Sequence, residues 1–150
     1  MDNDTLALWA ANLARPLGSL AEWISVAEAK IAEAEAGGTD LLMLPEWIAS
    51  HWLSFMPADL PRNREVAWMA EQAKLTIPAL ARAVAGRRLT LLAGSMPAAV
   101  AGGWVNRAYL LMPNGTEAHQ DKLCLTPFEK RPDAWLVQPG RRFEIGRAHV

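Results

Sequence analysis

Four consecutive apolar residues, Leu41-Leu42-Met43-Leu44, are stopped by Pro45 and followed at once by Glu46 and Trp47. A run this short, apolar at every position, fits a strand covered on both faces, and such strands belong to parallel sheets joined by crossover helices. The residues before it supply the crossover. Ser19 and Glu22 make a capping-box pair, Leu20, Ile24, Ala27 and Ile31 recur at helical spacing, and Gly37-Gly38 stops the helix. Thr5 to Leu13 holds the apolar segment Leu6-Ala7-Leu8-Trp9-Ala10-Ala11, which reads as a buried first strand. The pattern predicts a βαβ unit with Glu46 at the exit of its second strand.

The rest of the chain extends this unit. Asn63 is placed to cap a second helix from about Arg64 to Lys74, and Thr76 with Pro78 to restart it as far as Ala85. Arg87-Arg88 leads into a third strand, Leu89 to Ala93, which ends at Gly94-Ser95. Trp104 to Met112 reads as a fourth strand, Pro113-Asn114-Gly115 as a hairpin turn, and Thr116 to Leu125 as a fifth. The predicted order is βαβαβ followed by a β-hairpin, an α/β fold.

Composition narrows the function classes. With 150 residues, 51% of them apolar, the chain is sized for one domain with a real core. Fifteen Lys and Arg against 16 Asp and Glu leave no basic stripe to neutralise a phosphate backbone, so nucleic acid is excluded as a partner. Asp2 and Asp4 stand where a signal peptide needs positive charge. The uncharged run Leu89 to Val105 is broken by Gly94, Pro97, Gly102 and Gly103, and so is not a membrane helix. A cytoplasmic protein with no membrane partner is the expectation. The single cysteine, Cys124, allows no internal disulfide framework. Residues 145 to 150 match what one reading frame of a common sequencing adapter would encode, and are set apart as a non-native tail.

Three charged residues carry candidate chemistry. Glu46 sits at a strand exit beside an indole, a setting suited to a general base. Lys122 follows Asp121 near the end of the fifth strand, where a fixed cation can face a developing oxyanion. Glu129 lies in the following Thr-Pro-Phe-Glu segment. Each taken alone is a solvated surface charge. A rival thiol site of His119, Asp121 and Cys124 is disfavoured because Cys124 falls on the opposite strand face from the other two. His51, His119 and Cys124 have no familiar metal-ligand spacing. The non-enzyme alternative is an α/β binding module or pseudoenzyme, with Trp47, Trp52, Phe55 and Trp104 among seven tryptophans and three phenylalanines as its interaction surface.

Four landmarks in order change the weight of these residues: the strand ending in Pro45-Glu46, Leu92-Ala93-Gly94-Ser95, the hairpin bearing Asn106 and Asn114-Gly115, and Asp121-Lys122-Leu123-Cys124-Leu125-Thr126-Pro127-Phe128-Glu129. Together they resemble the first two blocks of the carbon-nitrogen hydrolase (nitrilase) superfamily. The resemblance implies the N-terminal portion of a four-layer α-β-β-α sandwich, an incomplete domain over residues 1 to 144. It implies hydrolysis of a non-peptide carbon-nitrogen bond in a small-molecule amide, nitrile or carbamoyl substrate, with no cofactor and no metal, by a homo-oligomer. Glu46 would be the general base, Lys122 the oxyanion anchor, and Glu129 a substrate-positioning carboxylate. The nucleophilic cysteine belongs to a strand after Pro139-Gly140-Arg141-Arg142-Phe143-Glu144, which the 150 residues do not reach. Cys124 is expected to be a small core residue, and the chain alone to be inactive.

Overall fold

The structure is a computed structural model in which residues 4–12 and 14–143 are described. Leu13, the end of the expected first strand, and the expected tail at 145 to 150 lie outside the described residues. Five strands form one sheet in chain order: β1 (Leu6–Leu8), β2 (Leu41–Met43), β3 (Thr90–Val100), β4 (Gly103–Leu111) and β5 (Glu117–Asp121). β1, β2 and β3 run parallel, while β3–β4 and β4–β5 are antiparallel. Helices α1 (Leu20–Ala36) and α2 (Glu65–Val84) make the two crossovers.

Local chemistry sets the helix ends. The Ser19 hydroxyl accepts the Glu22 N–H at 3.1 Å, and the Glu22 carboxylate reaches back to the Gly18 N–H at 2.7 Å rather than to that of Ser19. The buried stripe of α1 is Trp23, Ala27 and Ile31, with Leu20 and Ile24 only half-buried. Trp23 packs edge-on against Trp52, with ring centres 5.5 Å apart. α2 is one helix, not two, with Pro78 inside it. Its apolar stripe, including Val66, Met69, Ala73, Ile77, Leu80 and Val84, is unbroken and buried, so packing outweighs the one backbone bond that proline removes. Asn63 caps nothing: Arg62–Arg64 forms a 3-10 turn, and Arg64 occupies the N-cap position.

Cross-strand register decides which side chains share a face. Ala7, Leu42, Leu91 and Leu111 stand on the face covered by the helices, and the last three are almost fully buried. Leu8, Met43, Leu92 and Leu110 stand on the other face, and none of them is buried. This corrects two expectations. The first strand is a three-residue edge strand with Leu8 72% exposed, and β2 is buried on one face only, because helices cover a single side of the sheet.

Three more differences bear on the site. β3 does not end at Gly94; it bulges between Leu92 and Ser95 and continues through Pro97 to Val100. β5 ends at Asp121, which puts Lys122 just beyond the strand, its N–H still bonded to the Asn106 carbonyl at 2.8 Å. Cys124 is exposed rather than in the core, because the chain bends out of the sheet at Leu123 and Cys124.

Gly94 marks the tightest passage. Its φ is +68°, and an added Cβ would lie 2.3 Å from the Pro45 carbonyl oxygen and 3.0 Å from the Ile48 side chain. Gly115 has a similar φ, +82°, in open space at the hairpin turn. Gly94→Ala is expected to cost about 3 kcal/mol or more, and Gly115→Ala about 1 kcal/mol. Urea denaturation of both variants compares them; equal costs would mean that β2 and β3 do not approach as closely as described.

Candidate active site

The ends of β2 and β5, the bulge of β3, Asn106 of β4 and the loop after β5 converge in one place. Pro45 closes β2, with the Leu44 N–H bonded to the Leu92 carbonyl at 2.9 Å and the Ser95 N–H to the Pro45 carbonyl at 3.4 Å. The chain then turns sharply through Trp47, whose φ of +53° is in the left-handed region. Its backbone N–H is held by the Ser95 hydroxyl at 2.8 Å, so the β3 bulge supplies the acceptor for this turn. Across the sheet, Arg107 and Asp121 are register partners joined by two hydrogen bonds of 2.6 and 3.0 Å. That fork pins the end of β5 one residue before Lys122.

Glu46, Lys122 and Glu129 meet there. The Lys122 ammonium lies 2.8 Å from Glu46 Oε1 and 2.8 Å from Glu129 Oε2. Asn106, buried on β4, donates from Nδ2 to Glu46 Oε1 at 3.1 Å and to Glu129 Oε1 at 3.4 Å. The Trp47 indole N–H donates to Glu129 Oε1 at 2.8 Å, and the N–H and hydroxyl of Thr126 donate to Oε2 at 2.7 and 2.9 Å. Glu129 is 1% exposed and receives donors on both oxygens.

The two carboxylates are therefore unlike. Glu46 is 57% exposed at its side chain, more open than its position beside an indole suggested, and both of its contacts fall on Oε1. Among the described residues no hydrogen-bond donor reaches its Oε2. For Glu129, burial opposes the charged form, but the bonds from Lys122, Thr126 and Trp47 outweigh it and hold the carboxyl down at about 2. Burial likewise opposes the Lys122 ammonium, yet the bonds to Glu129 and Glu46 prevail and raise its pKa above the ordinary lysine range. Lys122 is a permanent cation facing one permanent anion and one open carboxylate.

A cavity of about 560 Å³ opens over this cluster. Glu46, Asn106 and Lys122 line one part of it, and Leu8, Met43 and Leu92 from the uncovered sheet face line another. The site is polar where the charges converge and apolar elsewhere, the composition of a small-molecule pocket.

The competing sets do not assemble. His119 and Asp121 border a separate depression with Arg141 and Arg142, while Cys124 lines another with Leu125 and Lys130. His51 is buried and its Nε2 is bonded to the Arg15 carbonyl at 2.9 Å. Of the proposed interaction surface, Trp52 is fully buried in the core and Trp47 is committed to Ser95 and Glu129. Sequence reasoning missed Asn106, Ser95, Thr126 and the indole of Trp47 as parts of the cluster. The available signals were an asparagine next to Arg107 in a strand otherwise free of charged residues, a serine directly after a strand glycine, and a threonine three residues before Glu129.

Acid sensitivity follows from the Glu129 environment. A carboxyl lowered from 4.5 to about 2 in the fold contributes stability that is fully present above pH 4.5 and is lost as pH falls toward 2. Glu129→Gln removes that contribution. The stability gap between parent and variant is expected to be constant above pH 4.5 and to shrink between pH 4.5 and 2. Denaturant titrations across this range measure it; a gap independent of pH would show that Glu129 is not held as an anion.

A scan of protein-family models and a search of curated proteins found no match to this chain. Solved structures do match. A carbon-nitrogen hydrolase from Helicobacter pylori G27 superposes with a TM-score of 0.63 at 16% identity, over 85% of this chain and 42% of that one. A nitrilase-superfamily amidase from Nesterenkonia AN1 gives 0.61 at 20% identity, over 93% of this chain and 47% of that one. A glutamine-dependent NAD(+) synthetase from Cytophaga hutchinsonii gives 0.52 at 18% identity, over 75% of this chain and 18% of that one. The chain spans less than half the length of each. Its five-stranded sheet and helices have the α/β fold of the carbon-nitrogen hydrolase (nitrilase) superfamily.

Proposed function

We propose that this chain is the N-terminal portion, residues 1 to 144, of a cytoplasmic, homo-oligomeric carbon-nitrogen hydrolase that acts on a small-molecule amide, nitrile or carbamoyl substrate. The observation that supports it best is the Lys122 ammonium held 2.8 Å from both Glu46 and Glu129 at the mouth of the cavity. A cation and an open carboxylate side by side suit acyl transfer through a thiol. Of the neighbours, the Nesterenkonia amidase is known with the acetamide moiety of fluoroacetamide covalently added at its active-site cysteine.

In this reading Glu46 Oε2 takes the proton of a cysteine thiol, and the thiolate attacks the amide carbon. The carbonyl π electrons move to oxygen, where Lys122 stabilises the negative charge. Collapse of the tetrahedral intermediate expels the amine, which takes up the proton held by Glu46, and leaves a thioester. Water, deprotonated by Glu46, then releases the carboxylic acid and restores the thiol. Glu129, which is 1% exposed, acts on the position of the substrate through Lys122, whose ammonium it holds at 2.8 Å. The reaction needs no metal or cofactor. Cys124 is a poor candidate for the nucleophile, since it opens onto a different depression from Glu46 and Lys122. The sulfur would come from a further segment of the parent protein, whose second sheet would cover the bare face of Leu8, Met43 and Leu92.

In the parent protein, Glu46→Ala and Lys122→Ala are each expected to lower kcat/KM for a short aliphatic amide by about 100-fold or more. Purified residues 1–150 are expected to show no turnover in the same ammonia-release assay. Turnover by residues 1–150 that is lost with Glu46→Ala would place the nucleophile within this chain. An unchanged parent carrying Lys122→Ala would remove the oxyanion role.

A further inference from the structure

The strained turn directly after Glu46 carries a residue with two separate attachments to the site. Left-handed φ is a genuine outlier for a bulky aromatic side chain, and such strain persists only where the surroundings over-determine it. At Trp47 they do. Its backbone N–H is fixed by Ser95, which the bulge next to Gly94 brings beneath it, and its indole N–H is fixed by Glu129. The indole also packs at a 52° tilt against Trp135, with ring centres 4.5 Å apart, and the N–H of Trp135 is bonded to Glu65 on α2 at 2.7 Å. Phe128, the neighbour of Glu129, packs edge-on against the same Trp135 at 5.3 Å. The loop after β2, the second helix and the loop after β5 are thereby locked together around one carboxylate.

We propose that Trp47 is a positioning residue of the catalytic centre: its turn aims Glu46, and its indole N–H occupies Glu129 Oε1 so that Oε2 is the oxygen presented to Lys122. This rests on the reading of Glu46 and Lys122 as catalytic groups. The distances support the division of labour. Trp47 and Asn106 both donate to Oε1, while Lys122 and Thr126 take Oε2. Without the indole donor, Oε1 keeps only the long Asn106 bond of 3.4 Å, and the carboxylate is held almost entirely from Oε2, by Lys122 and Thr126. The counter-charge of Lys122 is then fixed by one oxygen instead of two. The indole N–H gives the tryptophan after Glu46 a function that a purely packing aromatic such as phenylalanine lacks.

The test uses NMR of the 150-residue chain labelled at tryptophan indole nitrogens and glutamate carboxyl carbons. In the unsubstituted chain the Trp47 indole N–H signal is expected to move with the titration of Glu129. Trp47→Phe keeps an aromatic ring, though a smaller one, and removes the donor; the Glu129 midpoint is expected to rise by about one pH unit. An indole signal that ignores Glu129 overturns the proposal, and so does a Trp47→Phe chain whose Glu129 midpoint is unmoved. The first measurement needs no variant and stands if Trp47→Phe fails to fold. The catalytic reading fails separately: a moved midpoint together with a parent protein that hydrolyses no amide would leave the clamp in place and remove its catalytic purpose.

Discussion

Keeping Glu129 charged in a place with almost no access to water is the constraint on which the site depends. A buried carboxylate either takes up a proton or is surrounded by donors. Here the donors come from three stretches of chain: Trp47 after β2, Asn106 on β4, and the segment after β5 that carries Lys122 and Thr126 just before Glu129 itself. Those stretches must therefore arrive together for any of them to be satisfied. The position of Lys122, and through it that of Glu46, is a consequence of meeting that requirement.

The sheet makes the meeting possible. Parallel β1 and β2 bring their C-terminal ends to the bulge of β3, the side of the strands where open α/β sheets collect their chemistry. The bulge in β3 then lets Gly94 pass under the Pro45 carbonyl and raises Ser95 to the Trp47 N–H. On the far side, the Arg107–Asp121 fork holds β5 in register with β4, so Lys122 points to the face that Asn106 also occupies. Each device is small. Their joint effect is to hold one ammonium 2.8 Å from two carboxylates that differ in exposure and in the number of donors they receive.

Much of this was legible in the sequence, for physical reasons. Short apolar runs and a capped helix announced the βαβ unit, and Asn114-Gly115 announced the hairpin, because these signals are local. Glu46 and Lys122 were legible as residues just past strand ends. What escaped depends on tertiary context. Burial of Leu6 and Leu8 was overestimated because a sequence does not show that helices cover only one face. Pro78 was read as a break because the weight of the buried α2 stripe is a packing quantity. Gly94 was read as a strand end when it is a bulge, and Cys124 as a core residue when the strand had already ended. Asn106 and the Trp47 indole escaped as site members, since a local signal such as an asparagine in a strand does not say which carboxylate tens of residues away it will meet.

The central claim is that Glu46 and Lys122 serve a thiol that the parent protein supplies from outside these residues. Intact-mass spectrometry of the parent treated with fluoroacetamide, followed by peptide mapping, tests it most directly. The account predicts one covalent addition, on a cysteine other than Cys124, whose rate falls when Glu46 or Lys122 is replaced by alanine. Addition at Cys124, or a rate indifferent to both replacements, would contradict it.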